Sequence, residues 1–352
     1  MSAERSTLAN LDRSMRETFG WYTVSKKEFR DAIRSKGLWL LGLVFTTAFI
    51  APVAVALYTD FAAGGSVTAQ ALQEQGMQLL IRGIYLNMVT LLLPIVAIFV
   101  GYAAISKERT SGSLKLLLSL PHSRRDVIVG KVLGRCAVLG VPLVAALSLT
   151  AIFITASNLA FKPGQFALFS LFTVVFALVF VAITVSISGV FEKSSWSGVA
   201  NFIVYFYMTF LWNAGANGIG SALQDYLGVT GSIRWHIVLV LKLVNPNQAY
   251  KTLVDSLLSS GSVAEYQTPE LAARLGMFGG GADRQTICTE VLAGNWATRT
   301  MQIFGQSQQV PVCESGGSVP FIYSDPAVFV FMLVWVGIAA AVSFYTFNLA
   351  DL

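Results

Sequence analysis

The chain has 352 residues, of which 55% are hydrophobic and only 12% charged, with a mean hydropathy of +0.64. Soluble domains carry about 25% charged residues, and half that supply cannot cover a water-facing surface, so the chain must have a second solvent. The net charge of +5 does not point to nucleic acid, because the basic residues cluster beside apolar runs and form no patch of their own.

In chain order, residues 1–37 are polar. The first apolar run starts only at Leu38, where a secretory signal would already have ended, so no cleavable signal is expected. At about 100° per residue, Tyr22, Phe29 and Ile33 share one face of a helix and Lys27, Arg30 and Arg34 the opposite one. This N-terminal interfacial amphipathic helix is expected along the inner leaflet, as an anchor or as a gate. Six uncharged or nearly uncharged runs then have spanning length: 38–57, 84–106, 132–156, 166–190, 199–222 and 328–347. Within them the charged side chain is Arg135, one turn into the third run, where it can snorkel to the interface. Pro52, Pro94 and Pro142 lie inside spans, and each removes a backbone hydrogen bond.

Basic residues set the orientation. Arg5, Arg13, Arg16, Lys26, Lys27, Arg30, Arg34 and Lys36 precede the first span; Lys107, Arg109, Lys115, Arg124, Arg125 and Lys131 fill the loop between the second and third. The loop after the first span has Arg82, and the loop after the third has Lys162. This alternation places 1–37, the loop 107–131 and the short tail 348–352 in the cytoplasm, spans 1–5 within 38–222, an extracytoplasmic loop at 223–327, and the last span within 328–352. In the long loop, 233–244 is apolar but too short to cross and carries Lys242, so a re-entrant or surface-lying helix is expected. Asn245-Pro246-Asn247 ends it with turn chemistry, 250–258 is a second short helix, and 259–318 is a polar, Gly-rich external cap.

Of the three cysteines, Cys136 falls in a span, while Cys288 and Cys313 fall on the side assigned as oxidising. A bridge between those two would close a loop of about 24 residues, worth roughly 3 kcal/mol in the chain-entropy account; two free thiols are the alternative.

The stretch 107–131 reads KERTSGSLKLLLSLPHSRRDVIVGK. It contains a short helix, 113–120, with an apolar stripe at Leu114, Leu117 and Leu118, preceded by Glu108 and Arg109 and ended by Pro121. Such a helix suits a groove on a soluble partner, or it is a connector lying on the membrane. Glu108, Gly112, Ser113, Leu117, Leu118, Pro121, Ser123, Arg124, Gly130 and Lys131 resemble the corresponding loop of ABC-2 type permeases of ATP-binding-cassette transporters. The N-terminal helix, the six spans, the short connection 191–198 and the excursion before the last span are similar to that family as well. Asn245-Pro246 followed by Tyr250 resembles an element of its nitrous-oxide-reductase-maturation branch.

The resemblance implies an all-α membrane protein of type V exporter-like architecture. In it, 113–120 is the coupling helix that docks on a separate ABC ATPase subunit, with Glu108 at its entrance, held by charges expected to be solvent-accessible. ATP and Mg would be bound by that partner and no cofactor or metal by this chain. The permease would work as a homodimer or paired with another permease in the plasma membrane, surrounded by lipid, and as an exporter in the sense that the family implies. The residues agree with this. No phosphate-cradling G-x-x-x-x-G-K-[ST] is present, since Gly130-Lys131 lacks the upstream glycine. The spans lack the midplane ionisable groups of ion-driven carriers. His122 and His236 lie on opposite sides of the membrane, so they make no metal site or catalytic pair, and no residue is expected to be catalytic. Ser186 and Ser188 read as helix-packing residues with Gly189, and the aromatic run 202–212 as bundle or lipid-facing surface. The alternative is a non-transporting membrane protein, either an intramembrane enzyme or a structural or signalling subunit.

The topology has a direct test. In a background without native cysteines, an impermeant thiol reagent added from outside should label Ser262→Cys and not Ser111→Cys; the reverse pattern would reject this orientation.

Overall fold

The computed structural model describes residues 14–15, 18–58, 76–111, 123–157, 159–259, 268–278, 282–303, 306–315 and 319–349. Helix α1 (Gly20–Ile33) leads almost directly into α2 (Lys36–Tyr58). Helical structure resumes at Gly76, passes through a π turn (Ile81–Tyr85) into α3 (Leu86–Gly101), breaks at 102–105 and restarts as α4 (Ser106–Thr110). Two long helices follow, α5 (Arg124–Ala156) and α6 (Pro163–Val190). A continuous run then contains α7 (Ser194–Phe206), a π turn (Tyr207–Leu211) and α8 (Trp212–Leu227). Shorter helices come next: α9 (Ser232–Val244), α10 (Pro246–Leu258), α11 (Pro269–Gly276) and α12 (Ala282–Thr286). A hairpin of β1 (Gly294–Ile303) and β2 (Gln306–Ser315) precedes the last helix, α13 (Asp325–Leu349).

Five helical segments of the described residues are long and apolar enough to cross a membrane: Lys36–Leu57, Gly76–Thr110, Arg125–Ala156, Pro163–Val190 and Asp325–Thr346. The chain is a multi-pass membrane protein. The predicted run 199–222 is helical, but Asn201, Tyr205, Tyr207, Thr209 and Asn213 dilute its apolar character, so it does not join those five. The second and third helices are also longer than predicted: Arg82 lies inside a helix, where it pairs with Asp255 at 2.9 Å, and Lys131 lies inside α5. The all-α expectation is corrected by the antiparallel hairpin, which pairs Trp296 with Cys313 and Ala297 with Val312. β-branched residues at Thr298, Thr300, Val310 and Val312 suit an extended backbone. Cys313 on β2 is disulfide-bonded to Cys288, which follows α12.

The core centres on α6, whose Phe169, Phe176, Val179, Val181 and Val185 are buried. Lipid is as apolar as leucine, so close packing and hydrogen bonding must hold such a bundle together. Thr90, Thr150, Thr173 and Thr184 return their hydroxyl protons to carbonyls four residues earlier, removing polar groups from lipid. Pro52, Pro94 and Pro142 are all accommodated inside helices.

The short helices α9 and α10 form a pair that dips into the bundle. Thr173, ten residues into α6, hydrogen-bonds the Tyr250 hydroxyl at 2.9 Å, and the Tyr250 ring stacks on Phe176 at 4.7 Å. Trp335, ten residues into α13, donates its indole N–H to the Val244 carbonyl at 2.7 Å. At 1.5 Å per residue the turn between α9 and α10 therefore lies about 15 Å along both long helices, near half a bilayer core of about 30 Å. The segment 233–244, expected to be re-entrant or surface-lying, is thus packed against the middle of two long apolar helices. The Asn245 side chain explains how a turn survives there: Oδ1 accepts from Asn247 N–H at 2.9 Å, and Nδ2 donates to the Met208 carbonyl at 2.7 Å, inside the π turn of the neighbouring run. Non-helical backbone at that depth requires such internal partners.

Helices α10 and α11 and the start of α13 meet at a second polar node. Arg274, fully buried, donates to the Tyr323 carbonyl at 3.0 Å, to the Thr252 carbonyl at 3.3 Å and to Asp325 Oδ1. Ser256 donates to the other Asp325 oxygen at 2.7 Å, and Glu270 accepts from Asp325 N–H. Arg274→Ala would leave two carbonyls and a carboxylate without their donor. We expect a loss on the order of 3 kcal/mol, read as a lower thermal midpoint of the detergent-solubilised protein, while Arg299→Ala, whose pair with Glu314 is at the exposed hairpin, should change little.

Candidate functional site

The residues that bracket the loop 107–131 converge on one buried ammonium. Lys131, two turns into α5, is 1% exposed. Its Nζ lies 2.6 Å from Glu108 Oε1 on α4 and 2.9 Å from Glu28 Oε1 on α1. The second oxygen of Glu28 lies 3.0 Å from a terminal nitrogen of Arg135. Four charges from three elements thus neutralise one another, and each element is adjacent to the loop or to the first span. Of the predicted coupling residues, Glu108 is in this cluster. Gly112, Ser113, Leu114, Leu117, Leu118 and Pro121 lie outside the described residues, as does the side chain of Arg124. Glu108 does not meet solvent-accessible charges as expected: its partner is buried, because α5 begins earlier than the hydropathy pattern places it.

Small residues allow this convergence. Gly130 and Gly134 occupy one face of α5, four residues apart, and α1 lies against them. A Cβ at Gly130 would approach Val24 Cβ at 2.6 Å and the Trp21 carbonyl at 2.7 Å, and one at Gly134 would approach Glu28 Cβ at 2.6 Å. This is the small-xxx-small spacing that lets helix backbones come close. The contact face of α1 is therefore Trp21, Val24, Ser25 and Glu28, one turn apart, with Val24 buried. Ile33, of the predicted apolar face, stays exposed. Helix α1 presents one stripe to the bundle and another outward, which an amphipathic plot with two faces does not anticipate.

Both flanks of the loop are capped. Ser123 and Asp126 form a reciprocal capping box: Asp126 N–H donates to Ser123 Oγ at 3.1 Å and Ser123 N–H to Asp126 Oδ2 at 3.2 Å. On the other flank, the break at 102–105 exposes backbone groups that serines from other helices satisfy. Ser188 Oγ accepts from Ile105 and Ser106 N–H at 3.1 and 3.2 Å, and Ser197 donates to the Tyr102 carbonyl at 2.6 Å. Ser188 does pack helices, and it does so by terminating one.

Electrostatically, burial alone would raise the Glu28 carboxyl, but Lys131 and Arg135 outweigh it and hold the group below its ordinary 4.5. Among the described residues no group of three or more His, Cys, Asp or Glu could hold a metal ion, and the cluster, being neutralised internally, offers no open acidic site. Its chemistry is mechanical: it couples the positions of α1, α4 and α5.

Residues 22–352 match the family model described as ABC-2 family transporter protein. The chain is also 27% identical over 237 residues to a probable ABC transporter permease protein NosY of Pseudomonas aeruginosa, covering 66% of this chain and 80% of that one. A protein of the same name from Stutzerimonas stutzeri is 29% identical over 185 residues, 51% of this chain and 63% of its own length.

The clamp makes a pH-dependent contribution of known sign. The folded pKa of Glu28 is depressed, so its stabilisation is present above 4.5 and is lost as pH falls through the lower folded value. Thermal midpoints measured from pH 7 to pH 3 should fall below pH 4.5, and Glu28→Gln should flatten that fall while lowering the neutral-pH midpoint. Lys131→Met should cost about 3 kcal/mol at neutral pH by leaving two carboxylates without their shared cation.

Proposed function

Since the chain belongs to the ABC-2 transporter family, and is a membrane permease of an ABC transporter, we propose that the loop 107–131 is its coupling element to a separate ATPase subunit. The observation that carries this reading is the buried Lys131, which joins Glu108 before the loop to Glu28 on α1. A load applied to the loop passes through Glu108 and through the capped start of α5, and neither flank moves without straining the other. Helix 113–120 offers Leu114, Leu117 and Leu118 to an apolar groove on the ATPase, which binds ATP and Mg and performs the hydrolysis. This chain supplies the path and no catalytic residue.

The run 199–222 is the fifth crossing in this reading, which raises the five long apolar helices to six. The end of the bundle holding the clamp faces the cytoplasm, and the end holding the hairpin faces outward; the Cys288–Cys313 bridge supports that assignment, because disulfides persist in oxidising compartments. Two six-span units, alike or different, enclose the path in the plasma membrane. The outward direction of transport rests on the resemblance to exporters. The absence of midplane charge in the predicted spans suits a lipid-like or drug-like cargo.

Replacing Leu117 with Pro removes a backbone donor in mid-helix, costing about 3 kcal/mol or more locally, and Leu117→Asp places a charge in the docking stripe. Both variants should insert as the parent does and lose capture of the ATPase and transport-coupled hydrolysis. Retention of both activities in both variants would leave the loop a mere connector.

A further inference from the structure

A cavity of about 650 Å³ opens beside the clamp, between α1, α2, α3, α4 and the part of α5 holding Arg135 and Val138. That volume lies within the range of ligand-sized sites, about 300–1,000 Å³. Its lining is of two chemical kinds. The charged lining is Lys27, Glu28 and Asp31 of α1 with Glu108 of α4 and Arg135 of α5; the apolar lining includes Leu41, Val44, Val96, Val100 and Val138. Around the mouth, Leu40 is 61% exposed and Phe99 75% exposed. Both belong to helices long and apolar enough to cross a membrane, so the mouth opens toward acyl chains, and the charged lining lies where α1 enters α2, at the level of headgroups.

The charges decide what fits. The lining carries the cations Lys27 and Arg135 and the anions Glu28, Asp31 and Glu108, and Lys131 behind them makes three of each sign. An anionic headgroup would meet carboxylates, and a purely cationic one would meet Arg135. A zwitterion matches both. Arg135 sets one terminal nitrogen 3.0 Å from Glu28, and its side chain stays 31% exposed, so the guanidinium keeps further N–H donors for a phosphate oxygen. Asp31 is exposed on α1 and can accept from a primary ammonium, which has three N–H donors. A trimethylated ammonium has none.

We propose that this cavity binds one aminoethyl glycerophospholipid from the adjoining leaflet, with its phosphate at Arg135 and Lys27, its ammonium at Asp31, and an acyl chain against Val44, Val100 and Val138. The bound lipid would fill the space between α1 and the first two long helices and so belong to the same joint as the clamp. The inference stands apart from the transporter reading, because it concerns a resident lipid and its test requires neither ATPase nor cargo.

The test is lipid retention by the full chain. Detergent-solubilised protein is mixed with equimolar phosphatidylethanolamine, phosphatidylcholine and phosphatidylglycerol, and the lipids that remain bound are counted by native mass spectrometry. The wild type should keep one phosphatidylethanolamine per chain, favoured about fivefold over each of the others, the discrimination expected of a pair of partly exposed charges. Asp31→Asn should reduce the ethanolamine preference to parity with choline, and Val100→Trp should reduce retention of all three. Asp31 is a surface position, so its variant keeps the test decisive if Val100→Trp fails to insert. Equal retention of ethanolamine and choline lipids by the wild type, preference for phosphatidylglycerol, no retained lipid, or an Asp31→Asn variant with unchanged preference would each overturn the proposal.

Discussion

A lysine ammonium with 1% of its surface exposed persists as a charge only where nearby groups repay its desolvation. At Lys131 two carboxylates do so, and they come from different elements: Glu108 from the short helix before the second loop and Glu28 from the N-terminal helix. Arg135 then balances the second oxygen of Glu28. The energetic consequence is all-or-none geometry. If any of the three elements leaves, a buried charge loses its partner, so α1, α4 and α5 are obliged to move together or stay together. Gly130 and Gly134 make the arrangement possible, since any side chain at either position would hold α1 too far away for Glu28 to reach.

The rest of the bundle follows a related rule, that broken backbone inside a membrane must be satisfied from a neighbour. At 102–105 the helix breaks and serines on α6 and α7 take its free groups. At Tyr207–Leu211 the helix widens, and Asn245 from the turn between α9 and α10 donates to the Met208 carbonyl. Between these two points the long helices are regular. The flexible-looking places are therefore tied to other helices by hydrogen bonds, which makes them joints between rigid segments. One joint lies beside the clamp, and the other lies where α9 and α10 dip into the bundle. The Arg274–Asp325 node holds α10, α11 and the start of α13 to one another.

Several features were legible in the sequence, for reasons that can be named. Hydropathy is a sum over consecutive residues, so the apolar helices at 36–57, 163–190 and 325–346 fall within a few residues of the predicted spans. The same sum understated the second and third helices, because Arg82 and Lys131 lower it although both are helical. Turn chemistry at Asn245-Pro246 is local too, and the turn is there. The Ser123–Asp126 capping box is an equally local signal, which a search for S-x-x-D before a helix would have found. The hairpin was missed because a polar, Gly-containing stretch has weak period-two alternation, and its pairing is between strands.

Composition and hydropathy were enough to determine the solvent of this protein, and the resemblance of its second loop to that of ABC-2 permeases pointed to the family. What they could not determine was partnership. No pattern in one dimension says that Glu28, about a hundred positions before Lys131, is its counter-ion, that Gly130 and Gly134 exist for the sake of α1, or that a buried arginine in the cap grips the start of the last helix. Those facts depend on distances of a few ångströms between segments remote in the chain. Coulombic and close-packing energies fall away over such distances, and only the folded arrangement of helices sets them.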